Sequence, residues 1–410
     1  MRTRNNIALI VITSLVFFAA IVNIAGSSLG VWSSPDKSSL EGREYAVATD
    51  HLSRNGILTG AFQSNLEQFL ADRVPARDDV LLCNAELQRV DIRLAKAPFG
   101  FDCYPTFLGS KIAYSENNKA LYNTPSKKTR YTDKQWRNLE KSLRKLVKNN
   151  GQVENWVLAI TDSSELSLAS PLNSLVNDSA GYDYIFSKVR ACAPNQVKLL
   201  DLGSKFGAGE AEEYAKRYYV SDHHWQVMEG ADSYRSVVEA MGRQPIDTSR
   251  AFVAFDGQFF GSYAREGLCD YVWDDVYDID YDRSNLNIFF KKKKVDYSKV
   301  DKLWSADGRR FEKDGKFGSV GFHAGNKPII RYENLDLDES AGSLLLIGDS
   351  YTNNNDRFYA ETYKYVYSVD PRYYTSSIKK LIAKRNITDV AIVMMNHTLH
   401  EDVVQERLMS

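Results

Sequence analysis

Two short segments concentrate the reactive side chains of this 410-residue chain. The first is Tyr218-Tyr219-Val220-Ser221-Asp222-His223-His224-Trp225, where two of the six histidines are adjacent and an aspartate precedes them. In an extended segment Asp222 and His224 stand at i and i+2 and point to one face, while His223 points to the other. A carboxylate beside an imidazole fixes its tautomer and stabilises the imidazolium, which is the pairing a serine nucleophile needs. Trp225 would then wall the site. Two other readings stay open for the same residues: a metal site with Asp and His ligands, or a histidine that serves only the fold. The metal reading lacks a third and fourth ligand nearby, so no metal and no other cofactor is expected.

The second segment is Gly348-Asp349-Ser350-Tyr351, directly after the apolar run Leu344–Ile347. A strand ending in a tight turn presents its next side chain at the sheet's carboxyl edge, where open α/β sheets bind ligands. Ser350 so placed is a candidate nucleophile, provided a base takes its proton. Tyr351 and the amides of Asn353, Asn354 and Asn355 are candidates to line a polar pocket. The bland alternative is ordinary turn chemistry after a strand. Asp370-Pro371-Arg372 and Asn396-His397 follow two further strand-like runs. Arg372 or Asn396 could donate to an oxyanion beside the backbone N–H of Ser350, although Arg372 reads equally as an ion-pair residue. His397 and His400 are spare histidines without an acidic residue two or three positions before them.

The elements that must position these groups follow from hydrophobic pattern. Trp156–Ile160, Val197–Leu200, Leu344–Ile347, Tyr365–Val369 and Val390–Met394 are short apolar runs separated by helical segments. That rhythm predicts an α/β fold with a parallel sheet covered on both faces. Residues 60–95 read as helix broken at Pro75. Thr132 caps a helix over Asp133–Lys148, with Trp136, Leu139, Leu143 and Leu146 inside. Gly230–Met241 reads as a helix just after the Asp-His pair. Residues 251–328 interrupt the rhythm and read as an insertion of antiparallel strands and loops, with Lys291–Lys294 a solvated edge.

Composition sets the outer bounds. Hydrophobic residues are 43% and charged residues 26%, which excludes a disordered chain. A formal net charge of −1 gives no global attraction to nucleic acid or anionic lipid. Arg2 and Arg4 precede an uncharged run from Ile7 to Ala25, long enough to span a bilayer, and the next positive charge is Lys37. The expectation is an uncleaved signal anchor over 1–26 with its N-terminus inside, a stalk over 27–59, and an extracytoplasmic domain over 60–410. Cys83, Cys103, Cys192 and Cys269 allow three disulfide pairings, and free thiols are as consistent with their spacing.

Taken in order, Asp222-His223-His224-Trp225, Gly348-Asp349-Ser350-Tyr351 and Asp370-Pro371-Arg372-Tyr373-Tyr374 closely resemble the DHHW protein family. These bacterial envelope proteins are similar to the SGNH-hydrolase-like domains of alginate O-acetyltransferases. Phe69–Asp78 resembles the family's N-terminal helix and Pro-x-Arg-Asp turn, and Gly257–Gly267 its Gly-Ser-Tyr segment. The resemblance covers nearly all of 60–400. It implies an SGNH-hydrolase-like fold, with Ser350 as nucleophile, His224 as base and Asp222 as its orienting acid. It also implies transfer of acetyl groups to a cell-envelope polysaccharide, with a multi-pass membrane acyltransferase as the acyl source. Asp-His before Ser matches the alginate-type order and inverts that of ordinary SGNH esterases. Tyr351 departs from the Leu found there in many esterases. The expected function is a membrane-anchored O-acetyltransferase at the bacterial cytoplasmic membrane. The alternatives are an acetyl esterase of the same fold and a non-catalytic glycan-binding or assembly protein.

Overall fold

A computed structural model describes residues 14, 18–19, 21–26, 29, 37–38, 40, 43–124, 131–161, 182–203, 210–253, 258–282, 284–290, 293–295, 316–317 and 326–410. The continuous apolar runs become the strands that the sequence predicts. The strands of the main sheet are β1 (Asn155–Thr161), β2 (Val197–Asp201), β3 (Leu286–Phe290), β4 (Lys293–Val295), β5 (Ile329–Asn334), β6 (Ser343–Gly348), β7 (Tyr365–Val369) and β8 (Asp389–Met395). Their spatial order is β4-β3-β5-β7-β6-β8-β1-β2. All six residues of β6 are buried, as a central strand covered on both faces requires.

The period-2 alternation of β6 divides the core. Leu344 and Leu346 face one side, with Trp225, Tyr234, Tyr332 and Phe358. Leu345 and Ile347 face the other, with Leu139, Leu143, Ile382 and Val404. Helices cover both faces. On the second side lies the helix Asp133–Asn149, opened by a complete capping box in which Thr132 and Gln135 exchange hydrogen bonds. On the first lies Val227–Ala240, which begins two residues after Trp225.

The sheet is mixed, which corrects the expectation of a purely parallel one. β7, β6, β8, β1 and β2 run parallel, while β5 pairs antiparallel with β7 and carries β3 and β4 beyond it. In β5, Ile330, Tyr332 and Asn334 are buried while the residues between them are only half-buried, the alternation of an antiparallel strand with one wetter face. The segment expected to be an insertion therefore extends the main sheet. Lys293 and Lys294 lie exposed on the edge strand β4, where charge discourages pairing with another sheet. Lys291 and Lys292 lie outside the described residues.

Helices α1 (Ala61–Asp72) and α2 (Arg77–Lys96) are separated at Pro75, and Ala76 takes a left-handed φ of 52°. A three-stranded antiparallel sheet, Cys103–Pro105, Ile112–Ser115 and Ala120–Asn123, packs beside α2. Ser38 and Leu40, within the expected stalk, bond the Asp78 carboxylate, and Ala46 N–H donates to Asp72 at 2.9 Å. The apolar run Ile7–Ala25 falls largely outside the described residues. Near its end Asn23 donates to the Arg73 carbonyl at 2.8 Å. Among the described residues no helix is long and apolar enough to cross a membrane. The four cysteines are free thiols, with Cys83 exposed.

Candidate active site

The sheet's carboxyl edge brings the two reactive segments together. Ser350 follows β6 and opens a single 3-10 turn, Ser350–Asn354. Asp349 holds this turn in place: its Oδ1 accepts the Tyr351 N–H and its Oδ2 accepts the Met395 N–H at the end of β8, both at 3.0 Å. Among the described residues the Ser350 backbone N–H has no hydrogen-bond partner, which leaves a donor beside the Ser350 hydroxyl.

His224 Nε2 lies 2.8 Å from Ser350 Oγ. On the other side of the same ring, Nδ1 lies 2.6 Å from Asp222 Oδ1. That carboxylate oxygen also accepts the His224 backbone N–H at 3.0 Å, and Oδ2 accepts the Ser262 N–H at 2.7 Å. Burial alone would raise the Asp222 pKa. The neighbouring imidazoles and these hydrogen bonds outweigh it and hold the carboxyl well below its usual range. An ionised Asp222 fixes the Nδ1–H tautomer, so Nε2 presents its lone pair to the serine hydroxyl.

The loop that carries Asp222 is a bend, not the extended segment the sequence suggested. Tyr218 and Trp225 form an isolated antiparallel bridge, and the residues between them fold back on Asp222. Alternation therefore fails, and His223 lies on the same side as His224, their ring centroids 3.8 Å apart. Its Nδ1 is 3.0 Å from Ser262 Oγ. Burial and the adjacent His224 push the His223 pKa down to about 4. Asp222, His223 and His224 are close enough to share a cation. Yet the His224 Nδ1 is taken by Asp222 and the His223 Nδ1 by Ser262, so the group is built as a hydrogen-bonded relay.

Trp225, expected to wall the site, and Tyr351, expected to line its polar pocket, lie beneath it instead. Trp225 is fully buried, and its Nε1–H donates to the Tyr351 carbonyl at 2.7 Å and to Asn354 Oδ1 at 3.1 Å. Tyr351 is also buried, and its hydroxyl donates to the His223 carbonyl. Asn355 donates to the Gly230 carbonyl at 2.8 Å. These residues bind the histidine loop to the serine turn, because their polar ends find partners across that seam. Arg372 forms a bidentate pair with Asp370 through Nε at 3.0 Å and an Nη at 2.7 Å. Burial would lower its pKa, but that pair raises it. Asn396 is buried and accepts the Tyr131 hydroxyl at 3.0 Å. Neither Arg372 nor Asn396 is hydrogen-bonded to Ser350. His400 is distant in role: it stacks on Tyr131 at 3.6 Å within the fold.

The segment after residue 251 supplies contacts that the sequence pattern did not reveal. Beside Ser262, the buried Asp274 accepts the Val220 and Ser221 N–H groups at 2.8 and 2.9 Å and the Ser221 hydroxyl at 2.5 Å. Burial pushes its pKa up to about 7 against the pull of these donors. Gly261 approaches the loop so closely that a Cβ there would lie 2.4 Å from the Ser221 carbonyl oxygen and 2.5 Å from Asp222 Cβ. A cleft of about 500 Å³ opens one helical turn beyond Ser262, lined by Arg77, Asn84, Gln88, Phe107, Arg265 and Glu266 among others.

In fold the protein is similar to a DHHW family protein from Eubacterium siraeum DSM 15702, with a TM-score of 0.56 and 15% identity over 76% of this chain and 99% of the other. It is also similar to Bacillus cereus PatB1. A structure of PatB1 with a sulfonyl adduct gives a TM-score of 0.55 and 15% identity over 72% of this chain and 98% of the other. A second PatB1 structure gives 0.53 and 16%, over 72% and 99%. The likeness read from the motifs thus holds at the level of fold. No protein-family model and no curated protein sequence matches the chain.

Two predictions follow from this geometry. Gly261→Ala must displace the Asp222 loop, so the rate of Ser350 acylation should fall about a hundredfold while the folded domain persists. Acylation kinetics beside a thermal melt check this, and an unchanged rate would contradict it. The second concerns acid stability. Burial holds the His400 pKa down to about 4 in the folded chain, against 6.5 when unfolded. The unfolded chain takes up this proton first, so the stability is present above pH 6.5 and is lost as pH falls toward 4. The loss should be about 3 kcal/mol. Denaturant unfolding across this range should show His400→Gln lacking that part of the slope.

Proposed function

We propose that this chain is a membrane-anchored, extracytoplasmic O-acetyltransferase that acts on a cell-envelope polysaccharide through an acyl-serine intermediate. The carrying observation is the continuous relay Asp222–His224–Ser350, with 2.6 Å on one side of the imidazole and 2.8 Å on the other. In the proposed first step His224 Nε2 takes the Ser350 proton as Oγ attacks the carbonyl carbon of an acetyl donor. The tetrahedral oxyanion is stabilised by the Ser350 N–H. The intermediate collapses as His224 returns the proton to the leaving group, which departs and leaves acetyl-Ser350. In the second step His224 deprotonates a sugar hydroxyl as its oxygen attacks the acyl carbon, and the intermediate collapses as the bond to Oγ breaks and His224 returns the proton to Oγ, giving free Ser350 and the acetylated glycan. Asp222 stays ionised throughout and holds the imidazolium.

Three further observations support this reading. The similar PatB1 fold carries a sulfonyl adduct in one of its structures. The cleft lined by Arg77, Asn84, Gln88, Phe107 and Arg265, whose lining does not include the relay residues, offers charged, amide and aromatic side chains that suit a hydroxyl-rich polymer. Arg2 and Arg4 before the uncharged run Ile7–Ala25 support a reading in which the domain works outside the bacterial cytoplasmic membrane. There the acyl group would come from a multi-pass membrane acyltransferase.

The test is intact-mass spectrometry of the full chain in detergent with an activated acetyl ester. Wild type should gain one acetyl group, and Ser350→Ala should gain none. Adding envelope glycan should then discharge acetyl-Ser350 onto sugar faster than onto water. Acylation of Ser350→Ala at the wild-type rate would overturn the nucleophile. Discharge to water alone would make the protein an esterase.

A further inference from the structure

Among the described residues, helix α2 buries one stripe and leaves a second apolar stripe without cover. Ala85 and Arg89 lie in the buried stripe. On the opposite side Val80 is 56% exposed, Leu87 64%, Val90 49% and Leu94 69%, and Cys83 is exposed as well. These are not scattered surface residues. Val80, Leu87 and Leu94 recur every seven positions, and Cys83 and Val90 fall three after the first two, so the stripe has the a/d repeat of a two-helix seam. A run of 20 residues is about 30 Å long, enough for several layers.

The residues beside the stripe select its occupant. Glu86 and Arg93 flank it at equivalent positions one heptad apart, and Asp91 flanks the other side. Two copies of α2 laid antiparallel set Leu87 against Val90 of the second copy, Cys83 against Leu94, and Val80 against Ala97. In that register each Glu86 meets Arg93 of the second copy, so the charges pair twice by symmetry. A parallel arrangement would place Glu86 against Asp91, like against like. A bilayer surface suits the flanks less well, since Asp79, Glu86 and Asp91 stand among the few basic residues of this helix face. Within one copy Glu86 pairs with Arg89, and the Arg93 Nε–H donates to the Tyr104 hydroxyl. A carboxylate and a guanidinium each retain capacity for a further partner.

We propose that the protein forms a homodimer through an antiparallel contact between the exposed stripes of two α2 helices. This inference rests on α2 alone and does not depend on the chemistry assigned to Ser350.

Disulfide trapping in the full-length protein tests it. Leu94→Cys sets a new thiol opposite Cys83 of the second copy. Mild oxidation should then give a covalent dimer on a non-reducing gel. Leu94→Cys with Cys83→Ser should give none, and adding Leu87→Glu to Leu94→Cys should cut the dimer at least tenfold. Maleimide labelling of a parallel, unoxidised sample, together with an unchanged thermal melt, shows that each variant is folded with its engineered and native thiols open. Folded, unlabelled Leu94→Cys that yields no dimer on oxidation, although its thiols react with maleimide in the parallel sample, would overturn the proposal. So would wild type dimerising through Cys83 alone, which requires a parallel pair.

Discussion

The structure is organised around the need to satisfy one buried negative charge, the carboxylate of Asp222. An unpaired carboxylate in such a place is expensive, so its oxygens must be met by donors fixed in space. Three backbone or ring N–H groups meet them: the His224 ring, the His224 backbone and the Ser262 backbone. These donors come from two segments about forty residues apart. Bringing them together fixes the orientation of the His224 ring, and with it the direction in which Nε2 faces Ser350.

Everything else at the sheet edge serves that meeting. β6 delivers Ser350, and Asp349 ties the turn to the end of β8. Trp225 and Tyr351 exchange hydrogen bonds with each other's loops, so the histidine bend and the serine turn move as one body. From the other side, Asp274 clamps Val220 and Ser221 while Gly261 permits the close approach. The long segment after residue 251 is thus both the antiparallel extension of the sheet and the outer brace of the site.

Much of this was legible in the sequence, for definable reasons. Strands buried on both faces must be apolar throughout, so β6, β7, β8 and β1 announced themselves. Ser350 after a strand and Asp222 two residues before His224 are local relations, and local relations survive folding. The side of the loop on which His223 lies was not legible, because period-2 alternation holds only in extended chain and this loop bends through an aspartate-capped turn. Trp225 and Tyr351 were read as lining the site because aromatic residues next to reactive ones serve either role. Only the partners of their polar ends decide it, and those lie across the loop seam more than a hundred residues away. Asp274 carried no local signal at all. Its importance comes from a tertiary approach to residues 220–221, and one more acidic residue in an acidic stretch is silent in the sequence. That the antiparallel strands after residue 251 join the main sheet was hidden for a similar reason, since β3 and β4 are wetter than the central strands.

The proposed chemistry requires Asp222, His224 and Ser350 to act as one unit. The most direct test is the second-order rate at which a sulfonyl fluoride modifies the protein, followed by mass spectrometry with peptide mapping, for wild type and Asp222→Asn. A working relay gives a single adduct on Ser350 and a rate roughly a thousandfold or more lower in Asp222→Asn, as loss of the correct tautomer requires. Equal rates, or an adduct mapping to another residue, would contradict it.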